Sequence, residues 1–257
     1  MTDVQDESLK CERRGKVAVI TLNRPSSINA VNMSIRQGLA RLLPELNADP
    51  SVSAIVIHGA GERGFCAGAD IKEARPAVTA VGERDRLMPA SWIETIDQVK
   101  KPVIAAIHGI CMGAGLEMAL ACDIRVADKG SRFALPETKL GLLPGGGGTQ
   151  RLARVIGVGR AMDMILTGEE MNGEAALAAG LVTRLAETPD EVLGQAVALS
   201  EKIAERPGLA TAYAKEAVNA GIDLPLKAGL SLEKSLFAIV AEAAAKARAE
   251  KAKEKTD

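Results

Sequence analysis

Aromatic residues are scarce in this sequence, which has one Trp, one Tyr and three Phe among 257 residues. Proteins that bind single-stranded nucleic acid commonly stack the bases on aromatic side chains. The 32 basic and 33 acidic residues give a net charge of −1, so no broad positive surface is available for a polyanion. Both observations argue against a nucleic-acid partner.

Long apolar runs are also absent, and no run approaches the roughly 18 residues that a transmembrane helix requires. We therefore expect no membrane partner. Residues 1–16 are polar and carry charges of both signs, with no apolar stretch of signal-peptide length after them. This is not the pattern of a secretory signal peptide or of a mitochondrial transit peptide. The sequence therefore predicts a cytoplasmic protein.

Potential metal ligands are few, because the chain has two His and four Cys, and no two cysteines have C-x-x-C spacing. Structural zinc sites draw on clusters of these residues, so we expect no bound metal. The cysteines are expected to be small apolar core residues in a reducing compartment. They are Cys11, Cys66, Cys111 and Cys122.

Strand patterns alternate with helix patterns over about the first 190 residues. Four apolar runs read as buried strands, at residues 16–22, 53–59, 101–109 and 123–128. Alternation with helices predicts that these strands pair in parallel. The first helix is expected over residues 33–46, with Asn32 as its N-cap and Pro44 ending or kinking it.

From Asp190 onward the pattern changes to three helices, separated by Pro207 with Gly208 and by residues 221–225. The sequence therefore predicts an α/β catalytic core over residues 1–189 and a helical region over residues 190–257. The final Ala-, Lys- and Glu-rich segment is either a solvated helix end or a basic contact to a ligand phosphate or a neighbouring subunit.

Four segments are rich in glycine or turn residues, yet none of them completes a nucleotide-binding motif. "GAGLEM" lacks the third glycine of G-x-G-x-x-G, and "GGGGTQ" has Gln150 in its place, so a dinucleotide site in these segments is weakly supported. No P-loop, G-x-S-x-G or H-E-x-x-H pattern is present, which disfavours P-loop, serine-hydrolase and metalloprotease classes. The segments are "NRPSSINA", "GERGFCAGADIKE", "HGICMGAGLE" and "PETKLGLLPGGGGTQR".

The turn Gly113-Ala114-Gly115 enters a helix, where free N–H groups and the positive end of the helix dipole favour an anionic oxygen. The segment "CAGAD" could supply a second N–H donor. Two converging donors would form an oxyanion hole able to stabilise an enolate formed from a thioester. The alternative is that the glycines only permit tight packing of helix on strand.

Glu117 is a single carboxylate in an apolar run, where an unpaired charge is costly to bury. It lies one turn into the helix that begins at the proposed hole. Glu137, in "FALPETKLG", is a second acidic candidate. Two carboxyls that share a pocket titrate apart and provide one acid and one base. The alternative for Glu137 is a capping role at a helix or loop start.

Six segments, in this order, resemble motifs of the enoyl-CoA hydratase/isomerase (crotonase) family. The resemblance runs from about Gly15 to Val182 and is weaker in the C-terminal helices, where the phenylalanine-containing closing segment of the family is replaced. The motifs are "RGKVAVITLNRP…NA", "FCAGADIKE", "KPVIAAIHG", "GAGLEMALACDIRVA", "FALPETKLGLLPGGGGTQRL" and "A…LTGEEMNGEAALAAGLV".

The resemblance implies an α/β fold, a crotonase-like spiral core of repeated ββα units with a C-terminal helical region. That region would serve oligomerisation and active-site closure in a homotrimer or a dimer of trimers (a hexamer). It also implies a coenzyme A thioester as substrate, with no metal and no other cofactor.

The resemblance also implies roles for individual residues. Glu117 and Glu137 match the catalytic glutamates, Ala69 and Ala114 match the oxyanion-hole donors, and Gly145 matches the N–H that positions the catalytic water. Residues that match the CoA-binding segments are Arg24, Asn29, Ala30, Ala67, Asp70, Ile71 and Lys72.

The predicted activity is that of an enoyl-CoA hydratase, a hydro-lyase that adds water reversibly to trans-2-enoyl-CoA and gives 3-hydroxyacyl-CoA. Such a reaction belongs to β-oxidation of fatty acids or related acyl-CoA degradation. Hydratases of the family carry both glutamates, whereas its double-bond isomerases commonly need only the second. The alternatives are a 3-enoyl to 2-enoyl-CoA isomerase, a dehydratase of a specialised acyl-CoA, and a non-catalytic or RNA-binding relative.

Overall fold

A computed structural model of the chain describes residues 8–73, 79–87 and 92–253. The strands are β1 (Leu9–Arg14), β2 (Val17–Leu22), β3 (Ala54–Gly59), β4 (Gly64–Cys66), β5 (Val103–Ile107), β6 (Ile110–Met112), β7 (Ile124–Asp128), β8 (Arg132–Ala134), β9 (Met171–Asn172) and β10 (Arg184–Ala186). The helices are α1 (Met33–Ala48), α2 (Ala80–Leu87), α3 (Glu94–Asp97), α4 (Ala114–Ala121), α5 (Gly148–Ile156), α6 (Val158–Thr167), α7 (Gly173–Ala179), α8 (Pro189–Ala204), α9 (Gly208–Gly221) and α10 (Leu226–Lys253).

A six-stranded sheet with the order β1-β2-β3-β5-β7-β10 forms the frame of the fold. Strands β2, β3, β5, β7 and β10 are parallel, and β1 is antiparallel to β2. Alternate residues of these strands are buried in two separate clusters, so that Ile55 and Val56 face opposite sides. Burial on both faces explains why the strands read as continuous apolar runs. The four predicted strands and their parallel pairing are confirmed.

Helix α1 begins as predicted, because the Asn32 side chain accepts a hydrogen bond from the Ile35 N–H at 3.0 Å. Pro44 was predicted to end or kink the helix. It does not end α1, which continues to Ala48, and the kink stays a prediction. Pro44 leaves the Ala40 carbonyl without its helical donor. Both residues are exposed, so that carbonyl can be hydrated.

The strand β1 lies at the edge of the large sheet and was not predicted. Cys11, at its middle, is exposed, so the expected core location is wrong for this residue. A charged edge strand presents few apolar contacts, which discourages pairing with another chain. Cys66, Cys111 and Cys122 are buried free thiols, as predicted.

A small sheet with the order β4-β6-β8-β9 was not predicted, and its strands β4 and β6 lie in segments that the sequence analysis treated as loops. Three times the chain passes from a strand of the large sheet to a strand of the small sheet and then to a helix. Strands of two or three residues are too short to produce a periodic pattern, which is why they were missed.

The three predicted C-terminal helices are present as α8, α9 and α10. Helix α8 packs on one face of the large sheet and buries Val192, Ala196 and Val197 there. Helix α9 is attached through Lys215, whose Nζ lies 2.8 Å from Oδ2 of Asp123. The division of the chain at residue 189 stays a prediction. Within the described residues, no helix is long and apolar enough to cross a membrane.

Candidate active site

The candidate site lies at one edge of the small sheet. Strands β4, β6 and β8 are parallel neighbours, so their carboxyl ends meet at the same edge. The chain leaves these three ends just before Ala69, Ala114 and Glu137, respectively. The sheet therefore brings together three residues that are far apart in the sequence.

Ala69 lies in an isolated parallel bridge with Val31. The Val31 N–H donates to the Gly68 carbonyl at 2.8 Å, and the Asp70 N–H donates to the Val31 carbonyl at 2.9 Å. Backbone groups of successive extended residues point to opposite sides, so the N–H of Ala69 points away from Val31. It has no hydrogen-bond partner among the described residues.

Ala114 is the first residue of α4, and its N–H is one of the donors that a helix N-terminus leaves unpaired. The preceding residue, Gly113, has φ 52° and ψ −128°, a conformation that glycine adopts without a steric penalty. A Cβ atom built on Gly68 would lie 3.7 Å from the Ala114 nitrogen. The segments that carry the two predicted oxyanion donors are therefore packed against each other.

Glu117 lies on the first turn of α4 and is only 4% exposed. Its Oε1 accepts hydrogen bonds from the N–H groups of Gly146, at 2.7 Å, and Gly148, at 2.9 Å. Burial raises the pKa of this carboxyl, while the two hydrogen bonds and the positive charge of Arg151 act in the opposite direction. The carboxylate is therefore buried with partners that favour its charged form.

Glycine is required next to this carboxylate because side chains would collide with it. A Cβ on Gly146 would lie 2.6 Å from Oε2 of Glu117, and a Cβ on Gly148 would lie 3.0 Å from Oε1. The sequence analysis did not identify either residue, although four consecutive glycines before a helix were the available signal. Gly145, the predicted water-positioning residue, is exposed in the same loop, and its role stays a prediction.

Glu137 begins a 3₁₀ turn, Glu137–Leu140. A Cβ on Gly113 would lie 3.1 Å from Oε1 of Glu137, so the carboxyl lies against the residue that precedes the Ala114 donor. Its Oε2 is buried and has no hydrogen-bond partner among the described residues. Burial, the largest cause, and the nearby charge of Glu117 raise the pKa of Glu137, opposed by a hydrogen bond from its own backbone. These surroundings favour a protonated carboxyl.

The turn that carries Glu137 is fastened to the end of α6, a connection that the sequence analysis missed. The Thr138 hydroxyl donates to the Ile165 carbonyl at 2.8 Å, and Lys139 Nζ donates to the Gly168 carbonyl at 2.7 Å. Both acceptors lie at the C-terminal end of a helix, where carbonyls lack helical donors. The position of Glu137 is thus fixed from two sides.

Two of the predicted CoA-binding segments meet through Arg24. Its Nη2 lies 2.8 Å from Oδ2 of Asp70, and its Nη1 donates to the Ala30 carbonyl at 2.5 Å. The hydrogen bond from Arg24 is the main cause that lowers the pKa of Asp70. The Ala67 N–H adds a further link, to the Ile28 carbonyl at 2.9 Å.

The remaining predicted CoA-binding residues differ in exposure. Asn29 is fully buried at φ 55°, and its amide donates to the Ala60 and Gly64 carbonyls. Its side chain therefore shapes the turn from inside. Ile71 and Lys72 are exposed beside Asp70. Contact of these residues with CoA stays a prediction.

Similarity to known proteins extends over most of the chain. The sequence profile of the enoyl-CoA hydratase/isomerase family matches residues 12–257. The chain belongs to this family. It is 38% identical to a short-chain-enoyl-CoA hydratase of Clostridium acetobutylicum, over 88% of this chain and 86% of that protein. It is 42% identical to a probable enoyl-CoA hydratase of Rhizobium meliloti, over 90% of this chain and 88% of that protein.

Solved structures of related proteins agree with the fold. A crystal structure of an enoyl-CoA hydratase from Bacillus anthracis superposes with a TM-score of 0.84 at 37% identity, covering 90% of this chain and 89% of that one. The structure of Pseudomonas aeruginosa DspI superposes with a TM-score of 0.87 at 34% identity, covering 94% and 98%. The family resemblance and the crotonase-like α/β fold predicted from the sequence are confirmed.

Proposed function

We propose that this chain catalyses the reversible addition of water to trans-2-enoyl-CoA, giving 3-hydroxyacyl-CoA. The predicted class, an enzyme of the enoyl-CoA hydratase (hydro-lyase) type, is confirmed by the family and by the names of the relatives. The observation that carries the proposed mechanism is the contrast between two neighbouring carboxyls. Glu117 is held by two N–H donors, whereas Oε2 of Glu137 has none among the described residues.

In the proposed mechanism, the N–H groups of Ala69 and Ala114 bind the thioester carbonyl oxygen. They stabilise the negative charge that develops on this oxygen when C3 is attacked. Ionised Glu117 takes a proton from the attacking water, and the remaining hydroxide forms the bond to C3. The enolate then collapses and C2 takes the proton of Glu137. Transfer of the proton from Glu117 back to Glu137 restores the starting state.

Gly145 is proposed to help hold the attacking water through its N–H. It lies one residue before Gly146, whose N–H holds Glu117, and this position in the loop supports the proposal. The reaction needs only two proton transfers and stabilisation of one oxyanion. We therefore propose that no metal or redox cofactor takes part.

We propose that the CoA portion of the substrate lies along the segments joined by Arg24 and Asp70. Ala30 and Ala67 contribute backbone groups to the contacts between these segments. The buried side chain of Asn29 holds the turn in place by donating to the Ala60 and Gly64 carbonyls. Ile71 and Lys72 are exposed at the same surface, where an apolar and a cationic side chain could contact a nucleotide with phosphate groups. We also propose a cytoplasmic location, which the free thiols fit. The proposed metabolic context is β-oxidation or a related degradation of acyl-CoA.

We further propose that the chain assembles as a homotrimer or as a dimer of trimers, with the helical region over residues 190–257 in oligomerisation and active-site closure. Exposed apolar side chains on the helices support this proposal, because such patches commonly mark contact surfaces. Among them, α6 exposes a stripe at helical spacing, and α9 and α10 expose several more: Val158, Met162, Leu166, Val218, Ile222, Leu226 and Phe237.

The test is a hydration assay with purified protein and a series of trans-2-enoyl-CoA thioesters of different chain length and branching. Loss of the enone absorbance of crotonyl-CoA is the expected result. If the protein instead converts a 3-enoyl-CoA to a 2-enoyl-CoA and leaves crotonyl-CoA unchanged, the isomerase alternative replaces this proposal. An absence of turnover on the whole series would overturn it.

A further inference from the structure

Arg151, in the first turn of α5, connects the loop that holds Glu117 to another part of the molecule. Its Nη1 donates to the Gly146 carbonyl at 3.0 Å, and its Nη2 lies 2.5 Å from Oδ2 of Asp97. Gly146 is therefore held on both sides. Its N–H donates to Glu117, and its carbonyl accepts from Arg151.

The Arg151 guanidinium also lies directly against the next residue of the loop. A Cβ on Gly147 would lie 1.9 Å from Nη1 of Arg151, and Gly147 has φ 101°. The Gly147 carbonyl in turn accepts hydrogen bonds from the N–H groups of Gln150 and Arg151. A side chain at residue 147 would expel the guanidinium, so the glycine and the arginine form one packing unit.

Helix α3 also contacts this loop. Asp97, the partner of Arg151, is the last residue of α3, and Ile93 is the residue immediately before this helix. The Ile93 Cδ1 lies 2.5 Å from the position of a Cβ on Gly146, so this buried side chain packs directly against the loop. The loop is thus in contact with both an ion pair and a buried apolar side chain.

Four charged or polar groups act on the Glu117 carboxylate. The Gly146 N–H comes from the loop, the Gly148 N–H and the Arg151 charge come from α5, and the Glu137 carboxyl comes from the 3₁₀ turn. Asp97 partly neutralises Arg151, since their ion pair is close. Arg151 is the cation that acts against the effect of burial on Glu117.

We propose that Arg151 is a positioning residue for hydration, which holds residues 146–148 in the geometry that binds the Glu117 carboxylate. It acts on the substrate only through Glu117, and this inference rests on the proposed function above. Loss of Arg151 is expected to misplace the base and to make its ionised form less favourable. The expected effect therefore falls on turnover more than on substrate affinity.

Replacement of Arg151 by Gln tests the proposal in steady-state hydration of crotonyl-CoA. We expect kcat to fall by about 10- to 100-fold, as for a displacement of a catalytic group by about 1 Å. KM should change little, and the acidic limb of the pH profile should move to higher pH. The matched control is Arg154→Gln on the same helix, which removes an exposed ion pair with Asp223 and should leave kcat unchanged.

A double substitution separates positioning from a general structural effect. In a Glu117→Gln background, Arg151→Gln should cause little further loss, because the group through which Arg151 acts is already absent. Equal losses in both backgrounds, or an R151Q enzyme with wild-type kcat and pH profile, would overturn the proposal. Wild-type protein that fails to hydrate any enoyl-CoA overturns the proposed function together with this inference, whereas active wild type with unaffected R151Q overturns the inference alone.

A second variant applies if R151Q does not fold, as judged by thermal unfolding. Asp97→Asn keeps the size of the side chain and removes the ion-pair partner of Arg151. We expect a smaller fall in kcat, because the bond from Arg151 to Gly146 can remain. A kcat and a pH profile identical to those of the wild type would count against the proposal.

Discussion

The backbone N–H of Gly146 lies 2.7 Å from Oε1 of Glu117, although 29 residues separate the two in the chain. This contact favours the charged form of a buried carboxylate that has no side-chain hydrogen-bond partner among the described residues. In the proposed mechanism, the charge lies where a water molecule is activated beside the Glu137 carboxyl.

Glu117→Gln and Glu137→Gln should each lower hydration of crotonyl-CoA by roughly two to four orders of magnitude, the usual contribution of a general acid or base. Each substitution keeps the shape of the side chain but removes its proton transfer. Steady-state kcat at the optimal pH is the measurement. Near-normal turnover by either purified variant would show that the assigned glutamate is not catalytic.

Ala114→Pro should remove one oxyanion donor without breaking a helical hydrogen bond. Proline is tolerated at the first position of a helix, where the N–H has no helical acceptor. We expect kcat to fall by about 100- to 1,000-fold, as when a single oxyanion donor is lost. Ala114→Gly retains the N–H and is the conservative comparison, expected to keep most of the activity. Equal activity of both variants would contradict the role of this N–H.

Gly146→Ala should displace the Glu117 carboxylate, because the added methyl would lie 2.6 Å from its Oε2. A shift of about 1 Å in a catalytic group can reduce turnover by about 100-fold. The control is Gly159→Ala in α6, where a Cβ has no neighbour within 4 Å. That change should leave kcat unaffected and slightly raise stability, since alanine favours helix. Comparable kcat values in the two variants would disprove the steric argument.

The pH profile of kcat/KM should be bell-shaped. Glu117 must be ionised and its pKa is raised by burial, so the acidic limb should lie above the ordinary value of 4.5. Glu137 must be protonated, and burial together with the Glu117 charge raises its pKa. Activity should therefore fall as the pH rises through the raised pKa of Glu137, which forms the basic limb. Spectrophotometric rates across the pH range provide the measurement. An acidic limb at or below the ordinary value would contradict the assigned roles.

Glu137→Gln should raise the melting temperature at neutral pH although it strongly lowers activity. A carboxyl whose pKa is raised in the folded state stabilises the fold below its unfolded pKa, and this contribution is lost as pH rises through the folded value. The gain should be larger the further the folded pKa of Glu137 lies above its unfolded value. The gain should shrink towards acidic pH in calorimetry. A variant that is less stable than wild type at neutral pH would argue against an uncompensated Glu137.

The proposed catalytic residues could be found in the sequence because their chemistry conflicts with their surroundings. Glu117 stands out as a charge in an apolar run, and Ala114 follows from the glycine turn that opens the helix. The Gly146 and Gly148 N–H groups that bind Glu117 could not be identified from the sequence in this way. A run of glycines does not show which N–H groups converge on one oxygen, since this depends on how α5 is placed against α4.

The large sheet was predictable and the small sheet was not. Strands buried on both faces give long apolar runs, whereas β4, β6 and β8 contain three residues each and lie among glycines. Their pairing depends on contacts between distant parts of the chain. The position of Pro44 within α1 was likewise not predictable from the sequence pattern alone. The helix tolerates this proline because the Ala40 carbonyl, which lacks its helical donor, is at an exposed position.

The parallel pairing of β4, β6 and β8 also has a consequence for how the site tolerates change. Neighbouring strands are about 4.8 Å apart, a distance fixed by backbone hydrogen bonds. The segments that bear Ala69, Ala114 and Glu137 therefore inherit their spacing from peptide geometry. Side chains elsewhere can be replaced without altering that interval, so substrate preference can diverge in the surrounding loops while the reacting atoms keep their separation.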